Sequence, residues 1–337
     1  MNSNNASDIN PIFPNWMAIS PIIEKERNGM AFRGTQYHYT NIAGFISILE
    51  NRDFWLSNIR YMNDSQEFEN GVQICKKILE SRICEGNEEI FPYLKGLLDA
   101  CASSSSKGFF RISKQDIFAI SFCPNGDLLT QWNFYGNGGI SIGFDVAPDN
   151  MFDSITFMDE AQYEKEIQTT DPDQMRPHDE IRFHLLKVIY DDTEKIDIIN
   201  KIINIGADYY RRFGHYALDM CIDGISDVLF YYFALMKDEH FSHEGEYRFF
   251  VQAHDEKYHI SFRQRGHTIL PYLKLKILDV NCRPHNQLPI SDIIISPCSE
   301  QQLFADSVKY FLEKGGYNYL VDKVRLSTIP YRDTTIV

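Results

Sequence analysis

Short apolar runs separated by polar, turn-forming residues make up most of the chain, and the period of those runs changes along it. Gln36, Tyr37, His38, Tyr39 and Thr40 form an aromatic, β-favouring run, and Asn41 behind them can cap a helix over Ile42 to Asn51. Phe54 to Ser57 predicts a second short strand. Asn63, Asp64 and Ser65 offer caps for a long helix from about Gln66 into the Ser81 region, and a further helix is predicted near Glu88 to Ala102, closed by a mobile loop at Ser103 to Gly108. Ile117 to Cys123 and Ile140 to Phe144 are continuous apolar strands, with Leu128 to Tyr135 between them long enough for two helical turns. Leu185 to Tyr190 predicts a strand, and Thr193 to His215 and Ser226 to Asp238 predict helices. The last third is rich in strands: Glu246 to Val251, His259 to Arg263 and Tyr272 to Leu278 are short and separated by turn signals. Ile293 to Ser296 is a buried strand leading through Pro297 into a helix over Glu300 to Lys314. Gly315 and Gly316 end that helix, and Val324 to Ser327 adds an edge strand.

Helices separate the strands of the first half while strands cluster later, a pattern that favours an α+β fold over an alternating doubly wound one. The glycines agree. Gly136, Gly138 and Gly139 follow a helix rather than a strand and make neither a GxGxxG fingerprint nor a Walker loop, so a Rossmann-type dinucleotide site is not expected. Residues 1–30 read as a flexible arm, rich in Asn and Ser over Met1 to Pro14. Residues 31–337 read as a single elaborated domain, a length that a sheet fold with insertions can carry around one core.

Composition adds a few exclusions. Of 337 residues, 44% are hydrophobic and 24% charged, enough apolar material for a sizeable core. The formal charge of −14 sets the chain as a whole against phosphate backbones and anionic lipid heads, leaving only a local basic groove for either. The seven cysteines form no CxxC pair, which argues against a zinc ribbon and a disulfide framework and for a reducing compartment. The N-terminus lacks the basic and apolar regions of a signal peptide, and no window approaches the ~20 apolar residues of a membrane span. A cytoplasmic protein is the expectation.

Candidate chemistry gathers in few places. His240 and His243 could share a helix face as metal ligands, but the glycine and strand that follow favour a helix-to-strand junction, and no metal site is expected. Glu246 opens a strand whose next residues are Tyr247, Arg248, Phe249 and Phe250. Its ordinary reading is an ion pair with Arg248, its functional one a site carboxylate, with Glu244 on the same face as an ExE pair. His38 is either a satisfied core histidine or a ribose or phosphate donor at a cleft. Trp132 and Tyr135 lie three apart on one helix face, a spacing met more often in cores than in ligand platforms. Arg263 and Arg265 could hold a diphosphate, guanidinium geometry matching phosphate oxygens. No Gly-x-Ser-x-Gly nucleophile elbow is present.

Taken in order, the Tyr37–Thr40 run, Trp55-Leu56-Ser57 with Asn63-Asp64-Ser65, Ile120–Cys123, the Gln131–Gly136 and Gly139–Phe144 segments, Glu246-Tyr247-Arg248, Ile294–Pro297 and Ile329–Arg332 resemble the bacterial family known as domain of unknown function 2971. The resemblance spans about residues 36 to 332, and its strength lies in the order of the segments. The opening strand, helix and Leu-Ser strand of that family are in turn similar to the start of the ADP-ribosyltransferase superfamily. This resemblance implies a central split, mixed and antiparallel sheet flanked by helices, with NAD as the substrate. It implies that His38 holds a ribose and that Glu246 stabilises the oxocarbenium-like transition state, these two being the catalytic candidates. Tyr61, Trp132 and Tyr135 are all candidates for the aromatic packed on nicotinamide, with Tyr39, Thr40, Arg248 and Arg265 as further NAD contacts. The acceptor would be a macromolecule or water, and a toxin or antiphage effector with a cognate antitoxin or defence-system partner would fit. Two other readings are a non-catalytic nucleotide- or protein-binding module on the same fold and an RNA-directed nuclease or modifying enzyme, the latter opposed by the acidic charge.

Overall fold

A computed structural model describes residues 34–62, 67–102, 115–136, 138–146, 155–159, 185–254, 259–279 and 287–330. Along the chain the strands are β1 (Gly34–Thr40), β2 (Asp53–Asn58), β3 (Gln115–Phe122), β4 (Ile140–Val146), β5 (Ile155–Asp159), β6 (Leu186–Lys187), β7 (Tyr247–His254), β8 (Ile260–Arg265), β9 (Thr268–Asp279), β10 (Ile290–Ile295) and β11 (Val324–Leu326). The α-helices are α1 (Ile42–Asn51), α2 (Glu67–Cys84), α3 (Phe91–Ala102), α4 (Leu129–Phe134), α5 (Asp192–Phe213), α6 (Leu218–Phe233) and α7 (Gln301–Lys314). Among the described residues, 67–102 and 191–236 pack as one compact unit and the remainder as a second.

The first unit is helical, built from α2, α3, α5 and α6. Helix α5 buries Ile198, Ile199, Ile202, Ile203, Gly206, Ala207 and Tyr210, the three-and-four spacing that lines one face of a helix. Asp191 caps its start by accepting from the Glu194 amide at 2.9 Å. Gly206 is required by close packing: a Cβ there would lie 2.1 Å from the Tyr93 hydroxyl oxygen. That hydroxyl, on a fully buried side chain, donates to the Ile203 carbonyl at 3.0 Å. Phe68 packs edge-on to Phe230 and Phe233, closing α2 onto α6.

The second unit holds both sheets. One is four-stranded and mixed, in the order β1-β4-β10-β11, with β10 and β11 parallel. The other is seven-stranded and antiparallel, in the order β5-β9-β2-β3-β7-β6 with β8 paired to β9. The two meet where Tyr37 and Cys123 exchange backbone hydrogen bonds at 2.8 and 2.9 Å. One hydrophobic cluster draws on both sheets and on α1 and α7, including Phe45, Phe54, Phe118, Phe144, Phe249, Ile293 and Leu312. At the entry to β4, a Cβ on Gly139 would fall 2.1 Å from the Thr40 carbonyl oxygen, so the chain passes β1 at a distance only glycine allows.

The α+β class and the division into a mixed and an antiparallel sheet flanked by helices agree with the sequence reading. Helix α1 runs over the predicted residues and is capped by Asn41, which accepts from Gly44 at 2.8 Å. Three local expectations change. Helix α6 begins at Leu218 rather than Ser226 and takes in Gly224, which is buried within it. Of Leu185–Tyr190 only β6 forms a strand, with Ile189 in an isolated bridge. Strand β5 was not expected at all. The arm over 1–30, the caps at Asn63–Ser65 and the loop at 103–108 lie outside the described residues. No helix among the described residues is long and apolar enough to cross a membrane.

Candidate functional site

Strands β3 and β7 pair so that Ser121 lies opposite Arg248. Glu246, two residues before Arg248, projects to the same face by strand alternation. The Glu246 carboxylate there receives four donors: Ser121 Oγ at 2.5 Å, Arg248 Nε at 2.7 Å and Nη2 at 3.0 Å, and Lys237 Nζ at 3.2 Å. Lys237 also donates to Glu244 Oε2 at 2.7 Å, so two buried carboxylates face two buried cations and the quartet is electrically neutral. Burial by itself would raise the Glu246 pKa. The charges of Arg248 and Lys237, with hydrogen bonds from Arg248 and Ser121, outweigh burial and bring it from an ordinary 4.5 to about 2.

Backbone contacts hold this arrangement from both sides. The Glu246 amide donates to the Tyr190 hydroxyl at 3.0 Å, and the Glu246 carbonyl accepts from Val188 at 2.9 Å. The Lys237 amide donates to the Ile189 carbonyl at 3.0 Å, which brings the lysine back toward the start of β7. The Cys123 thiol donates to the Glu244 carbonyl at 3.2 Å, and burial pushes its pKa up to about 11, so it is a protonated, inert group.

His38 meets the backbone of Ser121 from the face of β3 that carries Phe122. Its Nδ1 stands 3.0 Å from the Ser121 carbonyl oxygen. A carbonyl only accepts, so Nδ1 carries the proton and Nε2 is the acceptor nitrogen of a neutral ring. Burial holds its pKa below the usual 6.5, opposed by the Ser121 hydrogen bond and assisted by the charge of Arg263. Phe54 and Phe122 pack around the ring at 6.4 and 5.7 Å between centroids.

The remaining sequence-predicted residues fall into other groups. Tyr39, on the opposite face of β1 from His38 and Thr40, is buried with Trp132, their rings edge-on at 4.8 Å, and Tyr135 packs against that small cluster. Trp132 donates from Nε1 to Asp127 at 2.9 Å, and Asp127 also receives Ser327 Oγ, the Thr328 amide and Thr328 Oγ1. Tyr61 is exposed, and its carbonyl accepts from Arg265 Nη1 at 3.1 Å. His240 and His243 are exposed on a 3-10 turn, Glu239–Glu244, that leads into β7. Among the described residues no three His, Cys, Asp or Glu side chains are grouped to hold a metal ion.

Thus Glu246 and Arg248 share the charged quartet, His38 meets the backbone of Ser121 from the face of β3 that carries Phe122, and the aromatic candidates stand elsewhere. The residues that join them, Ser121, Lys237 and Tyr190, are absent from the sequence-based candidates. A signal for two of them existed: Ser121 interrupts an apolar strand, and Lys237 follows Ala234, Leu235 and Met236, where a cation must be buried and therefore paired.

A family model described as a protein of unknown function (DUF2971) matches residues 131–249, a stretch that begins in α4 and ends in β7 and takes in Trp132, Lys237, Glu244, Glu246 and Arg248. Over those residues the chain is similar to that family. No curated protein and no solved structure matches the chain.

Proposed function

We propose that the second unit is an ADP-ribosyltransferase-like enzyme that cleaves NAD at the nicotinamide bond, with His38, Ser121 and Glu246 as its working residues. The observation that carries this reading is the position of Ser121, whose carbonyl is bound to His38 and whose hydroxyl is bound to Glu246. Nicotinamide leaves with the electron pair of the bond to the ribose anomeric carbon, and positive charge develops on the sugar. A carboxylate with a pKa of about 2 is ionised at any physiological pH and stabilises that charge. The neutral His38 ring offers Nε2 as acceptor to a ribose hydroxyl. The Lys237 contact to Glu246 is the longest of the four at 3.2 Å, so a hydroxyl donating to Oε2 replaces that bond while Lys237 keeps Glu244. The acceptor, a macromolecular nucleophile or water, then attacks the anomeric carbon, and its proton passes to bulk water.

Nicotinamide release from NAD tests this. Glu246→Gln should lower it at least 100-fold, as loss of one electrostatic stabiliser does elsewhere. Ser121→Ala keeps the charges and should lower it less. Undiminished release in Glu246→Gln, or no release by the wild type, overturns the assignment. A toxin role follows from the same reading and predicts that Glu246→Gln relieves growth arrest on expression.

One observation favours a second reading. Glu246 already accepts from four donors, as a purely structural carboxylate would. On that reading the unit is a non-catalytic nucleotide-binding module, and calorimetry would find ADP-ribose bound with no NAD turnover.

A further inference from the structure

On the face of the seven-stranded sheet that carries Ser121 and Glu246, a second arrangement is built around Arg263. Ser57 pairs with Ala119 in one direction and with Tyr272 in the other, so Trp55, Ser57, Tyr272 and Ser121, which follows Ala119 by two, all project to one side. Arg263 of β8 lies over two of these rings, its guanidinium carbon 5.4 Å from the Trp55 centroid and 5.3 Å from that of Tyr272. Trp55 and Tyr272 are themselves 4.8 Å apart and inclined by 31°. One hydrogen bond orients the head group, from Nη2 to Ser57 Oγ at 2.9 Å.

The charge balance here is unusual. Arg263 is half-buried, and among the described residues no carboxylate stands within ion-pair distance of it. Burial and the neighbouring charge of Arg265 both act against its cation, and its pKa lies below the usual arginine value. A second donor beside it is also unmet: Trp55 Nε1 is buried without a partner among the described residues. A chain of charge −14 has carboxylates to spare, yet this cation is held by aromatic rings and a hydroxyl. A guanidinium lying over aromatic rings, with one N–H tied to a hydroxyl, has further N–H donors to offer to the oxygens of a phosphoryl group.

We propose that Arg263, lying over Trp55 and Tyr272 and tied to Ser57, is a binding site for a phosphate ester, and that its ligand is the diphosphate of a nucleotide lying along this sheet face. The diphosphate closes the missing charge and accepts from the guanidinium edge. The nucleotide part of the inference rests on the reading of Ser121 and Glu246 as a ribose site. The phosphate part does not.

Isothermal titration of the full chain with pyrophosphate, ADP-ribose and adenosine separates these. Pyrophosphate and ADP-ribose should both bind, adenosine should not, and raised salt should weaken both. Arg263→Gln should weaken both at least tenfold. Arg263→Lys, which keeps charge but loses the planar edge, should weaken them several-fold, and circular dichroism would verify that both variants are folded. Equal affinity of wild type and folded Arg263→Gln, or no pyrophosphate binding by the wild type, overturns the site. Adenosine binding as tightly as ADP-ribose overturns phosphate recognition. Pyrophosphate binding through Arg263 without NAD turnover leaves the anion site standing and removes the transferase reading. Pyrophosphate binding with no gain for ADP-ribose overturns the nucleotide part alone.

Discussion

Around Glu246 each charged group meets an opposite charge within hydrogen-bond reach, and a serine, two strand backbones and a tyrosine hydroxyl complete the set. Around Arg263, on the same sheet face, a cation of similar size is given two aromatic rings and one hydroxyl. The first arrangement fixes three chain segments to one another: the end of β3, the start of β7 and the stretch at Lys237. The second fixes only a side chain, and among the described residues it leaves the charge of that side chain unmatched. Saturation gives position, and an unmatched but immobilised charge gives recognition. A single sheet face therefore carries a rigid reference point and a receptive one.

Substitutions should expose this contrast, with the greatest effect at the saturated end. Glu246→Gln leaves Lys237 and Arg248 buried with one carboxylate between them, and breaking a buried pair in this way typically costs about 3–5 kcal/mol. Urea unfolding measures it, and a loss under about 1 kcal/mol would place the quartet among ordinary surface pairs and erase the contrast. Adding Lys237→Met to that variant should recover part of the loss.

Acid should act on the same residue next. The folded-state pKa of Glu246 is depressed to about 2 from 4.5, so the unfolded chain binds its proton first. The stability this contributes is whole above about pH 5 and is lost as pH falls toward 2, roughly 3 kcal/mol over the window. Unfolding midpoints at pH 7, 4.5 and 3 should decline in the wild type and decline less in Glu246→Gln. Equal slopes would show that other groups set the acid limit.

Asp127→Asn comes third. The Asp127 carboxylate receives Trp132, Ser327 and two donors of Thr328, and those hydrogen bonds outweigh burial and lower its pKa. Losing the charge should cost about 1–3 kcal/mol and shift Trp132 fluorescence. Arg263→Gln should change stability least, by about 1 kcal/mol, since it removes two part-exposed cation–π contacts and one hydrogen bond but, among the described residues, no ion pair. A larger loss there would mean that these contacts hold the hairpin together and would weaken the distinction between the two arrangements.

Much of this fold was legible in the chain because its signals are local. Asn41 before an apolar run gives α1, and Gly315 and Gly316 after another end α7. The pairing of Glu246 with Arg248 is also local, since alternate residues of a strand share a face. What could not be read is long-range. Ser121 is 125 residues from Glu246 and 83 from His38, so nothing in its own neighbourhood names its partners. The surroundings of the aromatic candidates are long-range for the same reason: Trp132 and Tyr135 lie three apart in sequence, and the partner that draws them into a packed cluster, Tyr39, lies on the opposite face of β1 from His38.

The Asp127 contacts have a consequence for the order of folding. They join positions 200 and 201 residues apart, Tyr37 reaches Asp292 across 255, and the Tyr317 hydroxyl reaches the Leu49 carbonyl across 268. Contacts this distant in sequence close late, after the entropy of the intervening chain has been overcome. A ribosome delivering the chain from its first residue releases β1, α1 and α4 long before β10, α7 and Thr328 exist to cover them. During that interval Trp132 and the core side of α1 are exposed, and a cell that makes this protein must keep them from its other unfinished chains.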